Sequence, residues 1–297
     1  AMIQVEEIPH FRSWESDETY EMVIATDGKD FYYRNKMEYS LYYDHEKAQI
    51  FPAFHVRGSH GTTLVQRDGQ FEVLKAQNDS IKGSMVYPYW HPSGDYVAFS
   101  TNQTKQMFHM KDKNRIEVFD MSSDVLVYDV RNHRVVTDSL LFSKQAFETF
   151  PSFSPDGKTL YFSSSVAQKM PIDYKKVKYN ICSISFDAET GRFGTQVDTL
   201  FSVEQTGKTG TFPRVSPDGK FLAFTEADYG NFTIWHKEAD LCLIDLKTKE
   251  IKSLDALNSL EAESYHAWSS NGRWLVFASR RDDGLYSRPY IAYIDEE

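Results

Sequence analysis

Four copies of one short phrase constrain what this chain can fold into: YPYWHPSGDYVAFS (Tyr87 to Ser100), FPSFSPDGKTLYFS (Phe150 to Ser163), FPRVSPDGKFLAFT (Phe212 to Thr225) and YHAWSSNGRWLVFA (Tyr265 to Ala278). Their first residues, 87, 150, 212 and 265, lie 63, 62 and 53 positions apart. A constant core at long, uneven intervals is the mark of one structural unit that carries different surface loops. Each copy reads as a short extended run, a turn, and a second run in which apolar residues alternate with smaller or polar ones. In the second copy Pro155 fixes φ, Asp156 can bond its own backbone, and Gly157 accepts a positive φ. The last copy replaces Pro and Asp by Ser270 and Asn271 but keeps Gly272, the residue the turn most requires.

A third strand follows each hairpin: DVLVYDV (Asp124 to Val130), YNICSISFD (Tyr179 to Asp187), DLCLIDL (Asp240 to Leu246) and PYIAYID (Pro289 to Asp295). Three of these lead into a weaker fourth strand, in RNHRVVTDSL, AETGRFGTQVDTL and KTKEIKSL. Four antiparallel strands per unit make a propeller blade, an architecture that leaves few edges exposed. The C-terminal unit ends after its third strand, so its fourth is expected from the N-terminus or from beyond the end of this sequence. Residues 1–86 are more degenerate. YEMVIATDGKDFYYRN, SLYYD, AFHVRG, GTTLVQRDG and QFEVLKA supply short strands for two incomplete blades. The expected fold is all-β, a six-bladed propeller of four-stranded blades, with five blades as the alternative. It forms one domain over 1–297, with four clear repeats in 87–297. A separate N-terminal module is the competing organisation. A helical turn in DALNSLEAE is the one exception to the strand pattern.

Composition bounds the function. With 33 Lys and Arg against 43 Asp and Glu, the net charge of -10 disfavours a general nucleic-acid role, because a phosphate backbone needs a positive surface. No run approaches the apolar length of a membrane span, and the start AMIQVEEIPH lacks the pattern of a secretory signal. Ala1 before Met2 reads as a trimmed or engineered start, which leaves an upstream export signal open. Cys182 and Cys242 occupy like places after their phrases, about one repeat apart, and are expected to be buried free thiols.

The phrases FPSFSPDGKTLYFSSS and FPRVSPDGKFLAFTEAD resemble the WD40-like (PD40-type) propeller repeat of TolB and its relatives. The stretches YPYWHPSGDYVAFSTN and YHAWSSNGRWLVFASRRDDGLYSRPYIAYID are similar to TolB-like proteins of Bacteroidetes. The resemblance spans Tyr87 to Asp295. It implies the propeller fold, a periplasmic or cell-surface location, and a binding or scaffold role with an envelope protein or glycan as partner. The chain has no room for the extra α/β domain of TolB, and without a CxxCH it carries no covalent c-type haem. No cofactor is expected, nor a membrane span, and the protein is expected to be a monomer.

Function is expected in the loops between second and third strands, TNQTKQMFHMKDKNRIEVFDMSS, SSVAQKMPIDYKKVK, EADYGNFTIWHKEA and SRRDDGLYSR, which are longer than strand closure requires. Aromatic and basic residues recur in them, including Phe108, Tyr174, Lys175 and Phe232. The candidate binding residues are His109, Tyr229, Trp235, His236, Arg280, Arg281, Tyr286 and Arg288, because flat rings stack while Arg and His anchor polar groups. The competing reading is that these loops cover one another. The run from Ser279 to Gly284 either pairs its own charges or offers an arginine clamp to a carboxylate. His91 and His266 flank inner strands and are the candidate metal ligands. They belong to the alternative function, a metal-dependent lyase or hydrolase acting on acidic oligosaccharides at the central channel, although a catalytic site usually has three ligands. No Gly-x-Ser-x-Gly elbow, His-Glu-x-x-His pair, Walker loop or dinucleotide fingerprint is present, so no catalytic residue is assigned.

Overall fold

The computed structural model describes residues 5–7, 39–44, 49–54, 63–67, 70–74, 84–110 and 112–294, with side-chain surroundings from residue 85 onward. The chain divides into two compact units, Pro9–Gln77 and the remainder. In the smaller unit β2 (Tyr39–Asp44) pairs with β3 (Gln49–Phe54), and β4 (Thr63–Arg67) pairs with β5 (Gln70–Leu74). The expected strand-turn-strand around Asp27-Gly28 lies outside the described residues.

The larger unit contains four four-stranded antiparallel sheets. The first is β6 (Ser84–Trp90), β7 (Tyr96–Phe108), β8 (Ile116–Asp129) and β9 (Arg134–Val136). The second is β10 (Ala146–Phe153), β11 (Thr159–Val166), β12 (Asn180–Asp187) and β13 (Arg192–Phe201). The third is β14 (Thr209–Val215), β15 (Phe221–Ala227), β16 (Asp240–Asp245) and β17 (Ile251–Ser253). In the last, β18 (Glu263–Trp268), β19 (Trp274–Ser279) and β20 (Arg288–Tyr293) are joined by β1 (Val5–Glu7), which runs antiparallel to β20 with Val5 opposite Ala292. This is an all-β propeller of antiparallel blades. The count differs from expectation: four complete blades are described, not six or five, because β2 to β5 pair only in twos and lack the repeated turn phrase. Among the described residues helix is confined to short turns such as α1 (Val203–Thr206), and residues 255–257 form a turn.

Successive blades pack face to face on apolar residues. Ala98, Val125 and Val127 of the first meet Leu160, Phe162 and Ile184 of the second. Tyr161, Ile181 and Phe201 then meet Leu222, Phe224 and Ile244 of the third, and Ala223 and Leu241 join Leu275, Phe277 and Ala292 of the last. Fully burying one such side chain stabilises by about 1.5–3 kcal/mol, so blade-to-blade contact is the main cohesive term. Cys182 and Cys242 lie within these layers as free, buried thiols, and burial pushes the Cys182 thiol up to about 12.

The repeated turn behaves as its residues dictate. Gly157 takes φ 72°, Ser154 donates its hydroxyl to Asp156, and the Asp156 carboxylate receives the Lys158 amide. Ser216 with Asp218 and Ser269 with Asn271 repeat the arrangement. A second repeated feature sits at the first residue of each phrase. Tyr87, Phe150, Phe212 and Tyr265 hold φ of 55°, 55°, 56° and 50°, at the point where pairing of the first two strands shifts register. Left-handed backbone at a bulky residue costs about 1–3 kcal/mol and persists only where packing compensates. Here the rings meet in series, with centroids 4.6 Å apart for Tyr87 and Phe150, 3.9 Å for Phe150 and Phe212, and 4.7 Å for Phe212 and Tyr265.

Candidate functional site

The first long connection is largely strand. β7 and β8 continue their ladder as far as Phe108 opposite Ile116, so residues expected in a loop form an extended two-stranded arm. The arm meets the segments around Tyr174 and Tyr229. His109 stacks on Tyr174 at 6.1 Å, and the Tyr174 hydroxyl lies 3.2 Å from His109 Nε2. Phe119 stacks on Tyr174 from the other strand of the arm, while Tyr229 meets that ring edge-on. Lys175 pairs with Asp112 at 2.7 Å, and Lys113 pairs with Asp228 and Glu238.

Beneath these contacts lies a buried polar cluster. Tyr229 donates to Glu117 Oε2 at 2.7 Å, and His236 Nε2 is 3.0 Å from Glu117 Oε1. Asp120 accepts from Asn102 and from Thr104, each at 2.6 Å, and from Asn231. Burial pushes the Asp120 carboxyl up to about 6 in spite of these donors. Hydroxyls continue the cluster towards the aromatic series: Ser100 faces Thr149 at 3.3 Å, and Thr233 bridges Thr211 and Ser264. A low-dielectric site raises the cost of any unpaired group, so such a cluster fixes the geometry of the loops that share it.

The candidate binding residues therefore divide. Tyr229, His236 and Arg280 are buried, and Trp235 is half-buried beneath the Arg280 guanidinium, 4.8 Å from its ring centroid. Arg281 is structural as well. Its Nε donates to Ser279 Oγ at 2.9 Å, its guanidinium lies 4.4 Å from the Tyr290 ring, and Nη2 approaches buried Glu263 at 3.4 Å. Arg288 pairs with Asp282 and Asp283, so the acidic residues of the run from Ser279 to Gly284 meet an arginine from outside it, while Arg281 turns to Glu263. Of that set Tyr286 is exposed, while His109 and Arg288 are half-buried. What the loops present instead is apolar: Phe108 is 73% exposed, Met110 88% and Ile172 69%, with Leu285 beside Tyr286. Phe108 and Met110 flank His109 and Ile172 is two residues from its stacking partner, a proximity that the sequence signals only through the aromatics between them.

Of the two candidate metal ligands, His91 has other work. His91 replaces the turn serine of the other phrases. Its Nδ1 accepts the Ser93 amide at 3.1 Å, which leaves Nε2 to donate to Gly157 O at 3.0 Å in the next blade's turn. Burial, assisted by the Arg214 charge, lowers His266 to about 4 and keeps it neutral. Among the described residues no three His, Cys, Asp or Glu side chains come together as a metal site. No described helix is long and apolar enough to cross a membrane. A polar groove of about 530 Å³ is walled in part by Ser165, Val166, Lys178, Asn180 and Ser202.

No protein-family model matches the chain, and no curated protein matches it. Solved structures of similar fold include the "putative TolB" of Agrobacterium tumefaciens, 14% identical over 75% of this chain and 80% of that one, with a TM-score of 0.42. An oligogalacturonate lyase in complex with manganese is 15% identical over 77% of this chain, TM-score 0.45, and this chain covers 52% of its length. Kuenenia stuttgartiensis hydrazine synthase is 11% identical over 92% of this chain and 66% of that one, with a TM-score of 0.48. Likenesses at this level leave function to the site's own chemistry.

Proposed function

We propose that the protein is a non-catalytic, protein-binding propeller of the cell envelope, and that its loop cluster is the binding face. One observation carries this reading: loops locked internally by Glu117, Asp120 and their partners hold Phe108, Met110 and Ile172 out to solvent. Apolar side chains on a rigid support lose little freedom on docking and gain by desolvation. Phenylalanine, methionine and isoleucine favour a protein over a glycan, which would be met by flat rings with polar edges; in this set only Tyr286 is such a ring freely exposed. The metal-dependent lyase alternative lacks three gathered donors among the described residues. The envelope location follows from the resemblance of the repeat and is tested by fractionation of the native host.

The binding test places a photo-crosslinking amino acid at Phe108 in living cells. The expected result is a discrete cross-linked product that disappears when Met110 and Ile172 are both changed to Ser. A product unaffected by those changes, or the absence of any product, sinks the reading.

A further inference from the structure

Glu148 and Glu263 occupy the same place in two blades. Each stands two residues before a left-handed aromatic, Phe150 or Tyr265, and each lies opposite a serine across the first strand pair, Ser164 or Ser279. Each also has an aspartate from the preceding blade in range. Asp124, opposite Thr101, raises Glu148, and Asp240, opposite Glu226 at the equivalent rung, is raised in part by Glu263.

Their partners differ. Glu263 receives Ser259 N at 2.9 Å, Ser259 Oγ at 2.7 Å and Ser279 Oγ at 2.6 Å, and the Arg281 guanidinium enters from two residues beyond Ser279. Two residues beyond Ser164 stands Val166, which has no charge to offer. Glu148 is 2% exposed and its Oε2 has no hydrogen-bonding partner. An orphaned buried carboxyl is costly, and in the sister blade serine donors together with the Arg281 guanidinium relieve it.

We propose that the Glu148 slot is a receptor for an arginine side chain of a partner protein, which takes the place that Arg281 fills beside Glu263. A guanidinium matches the slot because its planar fork suits a carboxyl such as the orphaned Glu148, as Arg281 does at Glu263. Access follows from the same comparison. Arg281 reaches from the surface to a carboxylate that is wholly buried, and Val166, at the equivalent point of entry, is 72% exposed on the wall of the 530 Å³ groove. Of the lysines along that groove, Lys176 is paired with Asp173 and Lys178 with Gly207 O. The acidic chain, at net charge -10, favours a basic partner.

This inference rests on the protein-binding reading, yet it is read at a different atom, so failure of cross-linking at Phe108 leaves it separately testable. The probe is acetyl-Gly-Arg-Gly-amide, with the neutral isostere citrulline in place of arginine as the control, followed by the ¹³C carboxyl resonance of Glu148 and by Tm. The arginine peptide is expected to move the Glu148 resonance and raise Tm, and the citrulline peptide to do neither. Val166→Arg is expected to raise Tm by about 2–4 °C without peptide and to abolish the response, as is Glu148→Gln. Equal responses to both peptides, a response that survives in Val166→Arg or Glu148→Gln, or a Glu148 shift produced by Ca²⁺ or Mn²⁺ and not by the arginine peptide overturns the proposal.

Discussion

Tyr229 donates its hydroxyl to Glu117 across 2.7 Å, although the two residues are 112 positions apart and belong to the third and first blades. The pair fastens the extended β7–β8 arm to the loop that follows β15. Changing Tyr229 to Phe keeps the ring but leaves a buried carboxylate oxygen without its donor, at a cost of about 1–3 kcal/mol. Urea unfolding is expected to show that loss, and amides of residues 228–238 are expected to exchange faster. An unchanged midpoint would mean the arm is not held there.

Glu148 gives the molecule a pH dependence that runs through neutrality. Burial, with the Asp124 charge, raises its carboxyl to about 8 from an ordinary 4.5. Between those values the folded state binds the extra proton, so stability is greatest below the unfolded pKa and falls as pH rises through the folded one. The Asp120, Asp124 and Asp240 carboxyls, raised to about 6, act in the same direction at lower pH. His266, lowered to about 4, acts oppositely below its ordinary 6.5. From pH 6.5 to 8 the Glu148 contribution remains, and stability is expected to fall by about 1–2 kcal/mol. Denaturant titrations of Glu148→Gln should be flat over that interval, and a slope equal to wild type would exclude Glu148 as its source.

The repeated turn glycines are not equivalent. Gly157 and Gly219 share a left-handed φ, so alanine at either costs about 1 kcal/mol. At Gly219 an added Cβ meets nothing within 4 Å, whereas at Gly157 it lies 2.2 Å from His91 Nε2. Gly157→Ala is therefore expected to be the more destabilising by melting temperature, and His91→Ala to recover part of the difference in a double-mutant cycle. Equal losses at the two glycines would place the His91 ring elsewhere.

Removal of the exposed tips should leave the fold intact. Phe108→Ser, Met110→Ser and Ile172→Ser each remove solvent-facing surface, and each is expected to change stability by less than about 0.5 kcal/mol. Arg281→Met, by contrast, leaves Glu263 buried with only its Ser259 and Ser279 donors and should cost about 3 kcal/mol. A large loss at any tip, measured by the same unfolding curve, would mean that it covers the core.

The repeat phrase made the blades legible. Pro155, Asp156 and Gly157 encode a local turn, and local chemistry can be read one segment at a time. The loop cluster was not legible in this way. Tyr229 and His236 look like surface residues in sequence because nothing near them announces Glu117, whose position depends on how far β7 and β8 continue their ladder. The charged run at Arg280 and Arg281 misleads for the same reason, since Glu263 and Trp235 approach from separate strands. His91 is a candidate ligand by residue type alone, while its place in the phrase, where other copies carry serine, points to a turn role. The strands before residue 84 lack the phrase, and with it the signal that would count them.

The aromatic series at the head of the four phrases has a bearing on how the molecule can come apart. Phe150 and Phe212 are almost wholly buried, and each touches a ring supplied by a neighbouring blade on either side. Peeling away the last blade uncovers Phe212 while its backbone stays in a costly conformation, so partial opening forfeits compensation without releasing the strain. Intermediates with one blade detached are thus penalised twice, and proteolytic nicking between Leu254 and Glu263 should loosen more than the segment it cuts.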